Sequence, residues 1–433
     1  MHVYYGMGIG ICHKKYKQSM KKHYPKVLLF GHSFNNYTGM GITLTNLFKD
    51  WPKENIAIWA DGIDTELCEQ IRPCCIYLGK FCNNNHYSSV CVHKPSLKER
   101  IKKIIRYQYC KLGINELRAN TKIDLKYVMN AKEFNPDIIF CALGSDIAMK
   151  RCSHLMDLMP DSKLVLYIVD DWVNTKIVSR YISTYWRKKY NKDFRYILNR
   201  SSGLLSICQY MSENYKKQYG KTFYPFHNPV DIEYWKSISA KSIYPKNIIS
   251  ILYMGKINAD TTSCLLDMCK TIENLKLNGI EYIFDIYTPD YSLKAYLFTH
   301  RKNIHIFPPI AHDNVPNVMK SYSSLFLPLG FSIQSRTYVR LSMPTKLTEY
   351  LASGKPMIVY CPEEIALAKY LKDKDCAIMC TKEGPEGLYN AVLKLRDKTI
   401  YNRLVENALD LATKHDVHSI RESFRNTLNQ FLH

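Results

Sequence analysis

The chain of 433 residues has no long hydrophobic run. Its longest apolar stretches, such as Leu164-Val165-Leu166-Tyr167-Ile168-Val169, fall far short of the ~18–20 residues that a bilayer span requires. Acid is scarce beside base, with 39 Asp+Glu against 60 Lys+Arg and a formal net charge of +21. Gly and Pro, 18 of each, are too few for a collagen-like or Pro-rich linker protein. The 15 cysteines are scattered and odd in number, without C-x-x-C or a Cys/His pair-of-pairs spacing. That pattern argues against a zinc site and a disulfide framework, and for a reducing, cytoplasmic setting. The first 26 residues hold six lysines and no acid, and lack the apolar core and small-residue cleavage site of a signal peptide. Residues 1–25 are expected to form a basic, poorly ordered arm. The arm's Gly6-Met7-Gly8-Ile9-Gly10 follows no strand and carries no phosphate-binding expectation.

What remains is globular. Apolar residues make up 46% and charged residues 23%, and the length suits two or three domains. The basic excess calls for a polyanionic partner: nucleic acid, an anionic membrane surface or a phosphorylated substrate. Short β-rich runs alternate with helical stripes from Lys26 onward. Strands are expected at Val27–Phe30, Asn55–Trp59, Asp137–Cys141, Leu164–Val169 and Gly203–Ile207, with a helix on the Leu44, Leu47, Phe48, Trp51 stripe. Pro229 and Pro245 interrupt the rhythm. It restarts with strands at Ile249–Met254, Tyr282–Tyr287, Asn303–Phe307, Ser324–Pro328, Lys355–Tyr360 and Cys376–Cys380. The expectation is an α/β protein of two tandem doubly wound, Rossmann-like domains, 26–230 and 248–400, joined by a hinge at 231–247. Residues 401–433 carry two further helical stripes. Such sheets bind ligands outside the carboxyl ends of their strands, so the cleft between the domains is the expected site.

Residues just after strands therefore matter most. After the first strand, Gly39-Met40-Gly41 leads into a helix; its glycines suit either a tight turn or contact with a phosphate or sugar, and the spacing is not G-x-G-x-x-G. Lys256 follows Gly255 at a strand end, where a lysine is either solvated or placed for a pyrophosphate. The segment from Pro344 to Val359 is the most specific. Pro344 and Thr345 open a helix that Gly354 stops. Thr345, Lys346 and Leu347 would then turn backbone N–H groups toward an anion. Glu349, one turn later, would accept from a vicinal diol or simply favour the helix start. Asp170 and Asp171 close the Leu164 strand; such acids suit sugar or acceptor hydroxyls, a catalytic base, a metal pair or a helix cap.

The segment Pro344 to Val359, with Gly255-Lys256 and Asn228-Pro229-Val230-Asp231, resembles the donor-binding half of family 4 glycosyltransferases of GT-B fold. That resemblance implies retaining transfer of a sugar from a UDP- or GDP-linked nucleotide-sugar to a glycan or lipid-linked acceptor, in polysaccharide or glycolipid synthesis. It implies C-terminal helices packed back on the N-terminal domain, and no cofactor or obligatory metal. On it, Lys256 and the N–H groups of Thr345, Lys346 and Leu347 hold the diphosphate and Glu349 the ribose; Asp170 and Asp171, from their place at a strand end facing the cleft, are the expected catalytic residues. Two departures stand out: Asn258-Ala259-Asp260-Thr261-Thr262 supplies no second cation, and Leu341 stands where the family often has a glutamate. Arg336 or Arg340 is expected to add phosphate contacts.

Two stretches hold much of the remaining charge. Lys98, Arg100, Lys102, Lys103 and Arg106 alternate with Leu97, Ile101, Ile104 and Ile105; Arg180, Arg187, Lys188 and Lys189 interleave with Tyr181, Tyr185, Trp186 and Tyr190. Either stretch suits an ordinary solvated face or an anionic membrane surface, placing the protein peripherally on its inner face. No nucleic-acid-binding module is present, and no nucleic acid is expected as partner. Two other functions fit the same features: a sugar-nucleotide epimerase of similar two-domain fold, and a catalytically silent nucleotide-sugar- or membrane-binding protein.

Overall fold

The computed structural model describes residues 23–36, 38–60, 76–79, 97, 101, 102, 105, 123–175, 183–238, 244, 245, 247–275 and 279–433. The expected basic arm lies almost wholly outside these residues, as do Lys98, Arg100, Lys103, Ile104, Arg106, Arg180 and Tyr181.

Two all-parallel sheets organise the chain. The first comprises β1 (Val27–Gly31), β2 (Ile56–Ala60), β3 (Ile76–Gly79), β4 (Ile138–Leu143), β5 (Lys163–Ile168), β6 (Gly203–Ser206) and β7 (Tyr224–Pro225), in the order β3-β2-β1-β4-β5-β6-β7. The second comprises β8 (Ile248–Met254), β9 (Glu281–Tyr287), β10 (Ile304–Phe307), β11 (Ser324–Pro328), β12 (Met357–Tyr360) and β13 (Ile378–Cys380), in the order β10-β9-β8-β11-β12-β13. Central strands such as β1 and β4 are apolar at nearly every position because helices cover both sheet faces. The described cysteines are buried thiols, Cys141 at the centre of β4 among them, packed as small hydrophobes. In both sheets the strand order reverses beside the first strand, between β1 and β4 and between β8 and β11. Those switch points leave a crevice at the strands' carboxyl ends.

The expected strands form, and two more join them. β3 has only four residues, and β7 is a two-residue edge strand containing Pro225, too short and too Pro-bound to register as a run. The hinge region is more ordered than its prolines suggest, since it carries the helix Ile232–Ile238. Of the two closing helices, Lys398–Thr413 lies against the helix Lys346–Ala352 of the second sheet, and Val417–Gln430 crosses to the first. There Phe424, fully buried, meets the rings of Phe48, Trp51, Phe140 and Phe226 at 5.0–6.2 Å. Phe431 follows it onto Gly203, where a Cβ would stand 2.1 Å from the ring; only glycine leaves that space.

The chain thus passes between the sheets twice, and the two passages are bonded together. The Val230 N–H donates to the His415 carbonyl at 2.9 Å, and the Val417 N–H to the Val230 carbonyl at 2.9 Å. His227 and His415 pack edge to face at this crossing, with centroids 5.5 Å apart. Burial pulls His227 down to about 3, with His415 adding repulsion, and burial pulls His415 down to about 4. Both rings are therefore neutral in the folded protein at pH 7. On unfolding they return to about 6.5 and bind protons that the native state refuses. Stability is then complete above about pH 6.5 and falls as the pH drops toward 4, by roughly 2 kcal/mol per ring at pH 5. Urea unfolding at pH 7 and pH 5 should show this loss, with a shallower loss in His415→Gln; equal slopes would contradict the assignment.

Candidate functional site

The crevice holds two adjoining cavities. The larger, about 490 Å³, is lined by Thr38, Gly39 and Ile42 from the first sheet's side. Facing them are Gly255, Lys256, Thr345, Lys346 and Glu349 of the second. The smaller, about 290 Å³, is lined by Met40, Asp170 and Ile207 against Ser335, Tyr338 and Ser342. Gly39, Thr261, Pro328, Leu329, Pro344 and Thr345 line both, so the two spaces meet there.

Lys346 carries the larger cavity's charge. Its ammonium donates to the Met254 carbonyl at the end of β8 and lies 5.1 Å from the centre of the Tyr253 ring. A Cβ at Gly255 would stand 2.0 Å from Lys346 Nζ, so glycine there is the condition for this approach. Burial lowers Lys346 to about 8, with Glu349 one turn away acting in the opposite direction. Sequence reasoning enlisted only its backbone, since spacing alone does not tell where the side chain points. Lys256 is exposed at the cavity rim, on a loop held by Tyr253 donating to its carbonyl at 2.7 Å and by the Ile257 N–H donating to Asp290 at 2.7 Å.

Much of the remaining lining is apolar. Tyr287 at the end of β9 and Pro289 just after it, with Pro309, Ile310, Val315 and Met319 after β10, form this wall, with Tyr287 stacked on Phe307 at 4.7 Å. Sequence reasoning missed this wall, although the strand-end rule that selected Lys256 applies equally to Tyr287.

Several expected roles change. The Leu347 N–H donates to the Pro344 carbonyl at 3.1 Å, because the helix opens with a tight turn; it is not presented to an anion. Thr345, Lys346 and Glu349 do line the cavity, and Leu347 is buried in the core. Arg336 donates to the Phe331 carbonyl at 2.7 Å and pairs with Glu364 at 3.1 Å, outside both cavities. Arg340 reaches Asp171. Gly39 and Met40 face the cavities, but Gly41 is buried: a Cβ there would stand 2.1 Å from Asn35, whose side chain accepts from the Thr38 N–H and hydroxyl. Its glycine makes room for a loop, not for a ligand.

The adjacent acids separate. Asp171 is fully buried and lines neither cavity. Its carboxylate accepts from Tyr215 at 2.8 Å, Asn174 at 2.7 Å and Arg340 at 2.8 Å. Those bonds remove it from direct contact with a cavity ligand. Asp170 lines the smaller cavity and accepts from Ser342 at 2.9 Å. Burial raises its carboxyl above the usual range, and the Ser342 and Tyr338 hydroxyls pull the other way. Leu341 is wholly buried, and its carbonyl accepts from the Cys208 thiol. Among the described residues no three His, Cys, Asp or Glu side chains gather where they could hold a metal ion, and no helix is long and apolar enough to cross a membrane.

No protein-family model matches the sequence, and no curated protein matches it. Solved structures do. A glycosyltransferase from Rickettsia africae superposes with a TM-score of 0.58 at 11% identity, over 94% of this chain and 99% of that one. S. aureus TarM, in complex with fondaparinux, alpha-GlcNAc-glycerol and UDP, gives 0.57 at 11%, over 94% and 100%. The trehalose-6-phosphate synthase OtsA gives 0.59 at 9%, over 93% and 98%. These likenesses extend across both sheets, and the fold is of the GT-B type found in glycosyltransferases.

Proposed function

We propose that the protein is a glycosyltransferase that moves a sugar from a UDP- or GDP-linked donor to a glycan or lipid-linked acceptor, with retention at the anomeric carbon. The observation that carries this reading is the larger cavity, whose lining combines an apolar wall with two lysines and a glutamate. A nucleoside diphosphate combines an apolar base, a diol and an anionic diphosphate. Tyr287, Pro309, Ile310 and Val315 suit the base, Glu349 the ribose hydroxyls, and Lys346 and Lys256 the diphosphate. TarM, of the same fold, was solved with UDP bound, which supports a nucleotide in this crevice.

Chemically, the clearest contribution is to the leaving group. Negative charge grows on the diphosphate as the glycosidic bond breaks, and an ammonium already held in place stabilises it without reorganisation. Asp170, on the wall of the smaller cavity, is placed to accept a hydrogen bond from a hydroxyl of the sugar or acceptor. No cofactor beyond the nucleotide-sugar is needed for this chemistry. Polysaccharide or glycolipid synthesis at the inner face of a membrane is the proposed setting. It is supported by the helix Ser183–Arg200, which turns Arg187, Lys188, Lys192 and Arg195 outward together.

Because Lys346 is charged only below about pH 8, affinity for UDP or GDP should fall as the pH rises from 7 to 9.5. In Lys346→Met it should be weak and flat across that range, by calorimetry; a wild-type affinity independent of pH would contradict the role. Glu349→Ala should weaken binding by about tenfold, the scale of one lost charge-assisted hydrogen bond. Vesicles rich in anionic lipid should carry the protein in flotation at low salt and release it at high salt. Absence of flotation at low salt would overturn the membrane proposal.

A further inference from the structure

The segment Arg340–Thr345 leads directly into Lys346 and Glu349, and nearly every residue of it is bonded to the other sheet's side of the cleft. Arg340 donates to Asp171 at 2.8 Å, and the Leu341 carbonyl accepts from Cys208 at 3.4 Å. Ser342 donates to Asp170 at 2.9 Å. The Pro344 carbonyl lies 3.2 Å from His227 Nε2, and the Thr345 carbonyl accepts from Asn228 at 3.3 Å. Asn228 is fixed in turn by Asn46, which donates to it at 3.0 Å. Finally Gly39 packs on the Thr345 side chain, which a Cβ would meet at 3.3 Å. These partners follow β1, β5, β6 and β7, so one sheet's strand ends hold five residues of the segment that runs into the other's donor-cavity wall.

The strongest bond of this seam is at its start. Asp171 is fully buried, and its two neutral donors, Tyr215 and Asn174, leave its charge to Arg340. A buried carboxylate that loses its cation is strongly destabilised, so the seam holds as long as the pair does. Neither residue lines the larger cavity. Their effect on it runs through the backbone: separation of the pair frees the Arg340–Thr345 segment, and with it the start of the helix bearing Lys346 and Glu349.

We infer that Arg340 and Asp171 are positioning residues for the nucleotide site, coupling contact between the two halves to the affinity of the larger cavity although neither touches its ligand. This inference rests on the donor-site reading above. A protein whose binding-competent arrangement is less populated shows a proportionally weaker apparent affinity. Asp171→Asn keeps the shape and removes the charge; Arg340→Met keeps the stem and removes the fork; Arg340→Lys keeps the charge. Arg301→Met serves as the control, because Arg301 pairs with Glu273 at 3.0 Å and bonds no residue of the seam.

The test is calorimetric titration of the full chain with UDP and, in parallel, GDP, each variant first shown to be folded by its thermal transition. We expect binding at least about tenfold weaker in Asp171→Asn and in Arg340→Met. The double variant should be no weaker than the weaker single one, as for two ends of one interaction. Arg340→Lys should recover most of the affinity, and Arg301→Met should bind as the wild type does while melting lower. Unchanged affinity in folded Asp171→Asn and Arg340→Met would overturn the inference. So would an equal loss in Arg301→Met, which would trace the effect to general stability. A wild-type protein that binds neither nucleotide would overturn the donor-site reading itself, and the inference with it.

Discussion

A buried carboxylate facing the wrong way for its own domain organises this cleft. Asp171 follows β5 of the first sheet, yet the cation that neutralises it, Arg340, belongs to the second. Separating a buried pair costs about 3–5 kcal/mol, and the 40% exposure of the Arg340 side chain puts this one toward the lower end. That is enough to fix which strand ends confront each other. From it follow the seam along Arg340–Thr345, the approach of Gly39 to Thr345, and the meeting of the two cavities. The same pair explains why Arg340 lines neither cavity although its segment runs into the wall of both.

The covalent crossings reinforce this arrangement. Val230 leaves the first sheet hydrogen-bonded to the returning chain at His415 and Val417. The last helix then seats Phe424 among four aromatic rings. Burying such a ring contributes several kcal/mol, so the first half is held in part by the chain's final residues. The crossing also places the neutral His227 beside the Pro344 carbonyl, with His415 packed against its ring.

Most of the fold was legible because parallel strands covered on both faces read as unbroken apolar runs, and Val27–Phe30 or Ile249–Met254 admit few other structures. β7 escaped because Tyr224-Pro225 is two residues long. The site was legible only as a region. The Lys346–Glu349 helix and the Gly39 loop came from the strand-end rule. Their side-chain roles did not, because these depend on partners far away in sequence. Arg336 looked free until folding brought Glu364 to it, and Arg340 until it met Asp171, 169 residues distant. Gly41 and Gly255 are alike in sequence context, but one makes room for Asn35 and the other for a lysine ammonium. The same proximity to strand ends made Asp170 and Asp171 look equivalent, and only burial separates them.

The central claim is that a nucleoside diphosphate lies in the larger cavity with its base toward β9 and β10. Photolabelling with 5-azido-UDP and 8-azido-GDP, followed by peptide mapping, tests it most directly. The account predicts label between Tyr287 and Met319, competed away by the unmodified nucleotide. Label concentrated on the helix Ser183–Arg200, or label that the competitor does not displace, would contradict it.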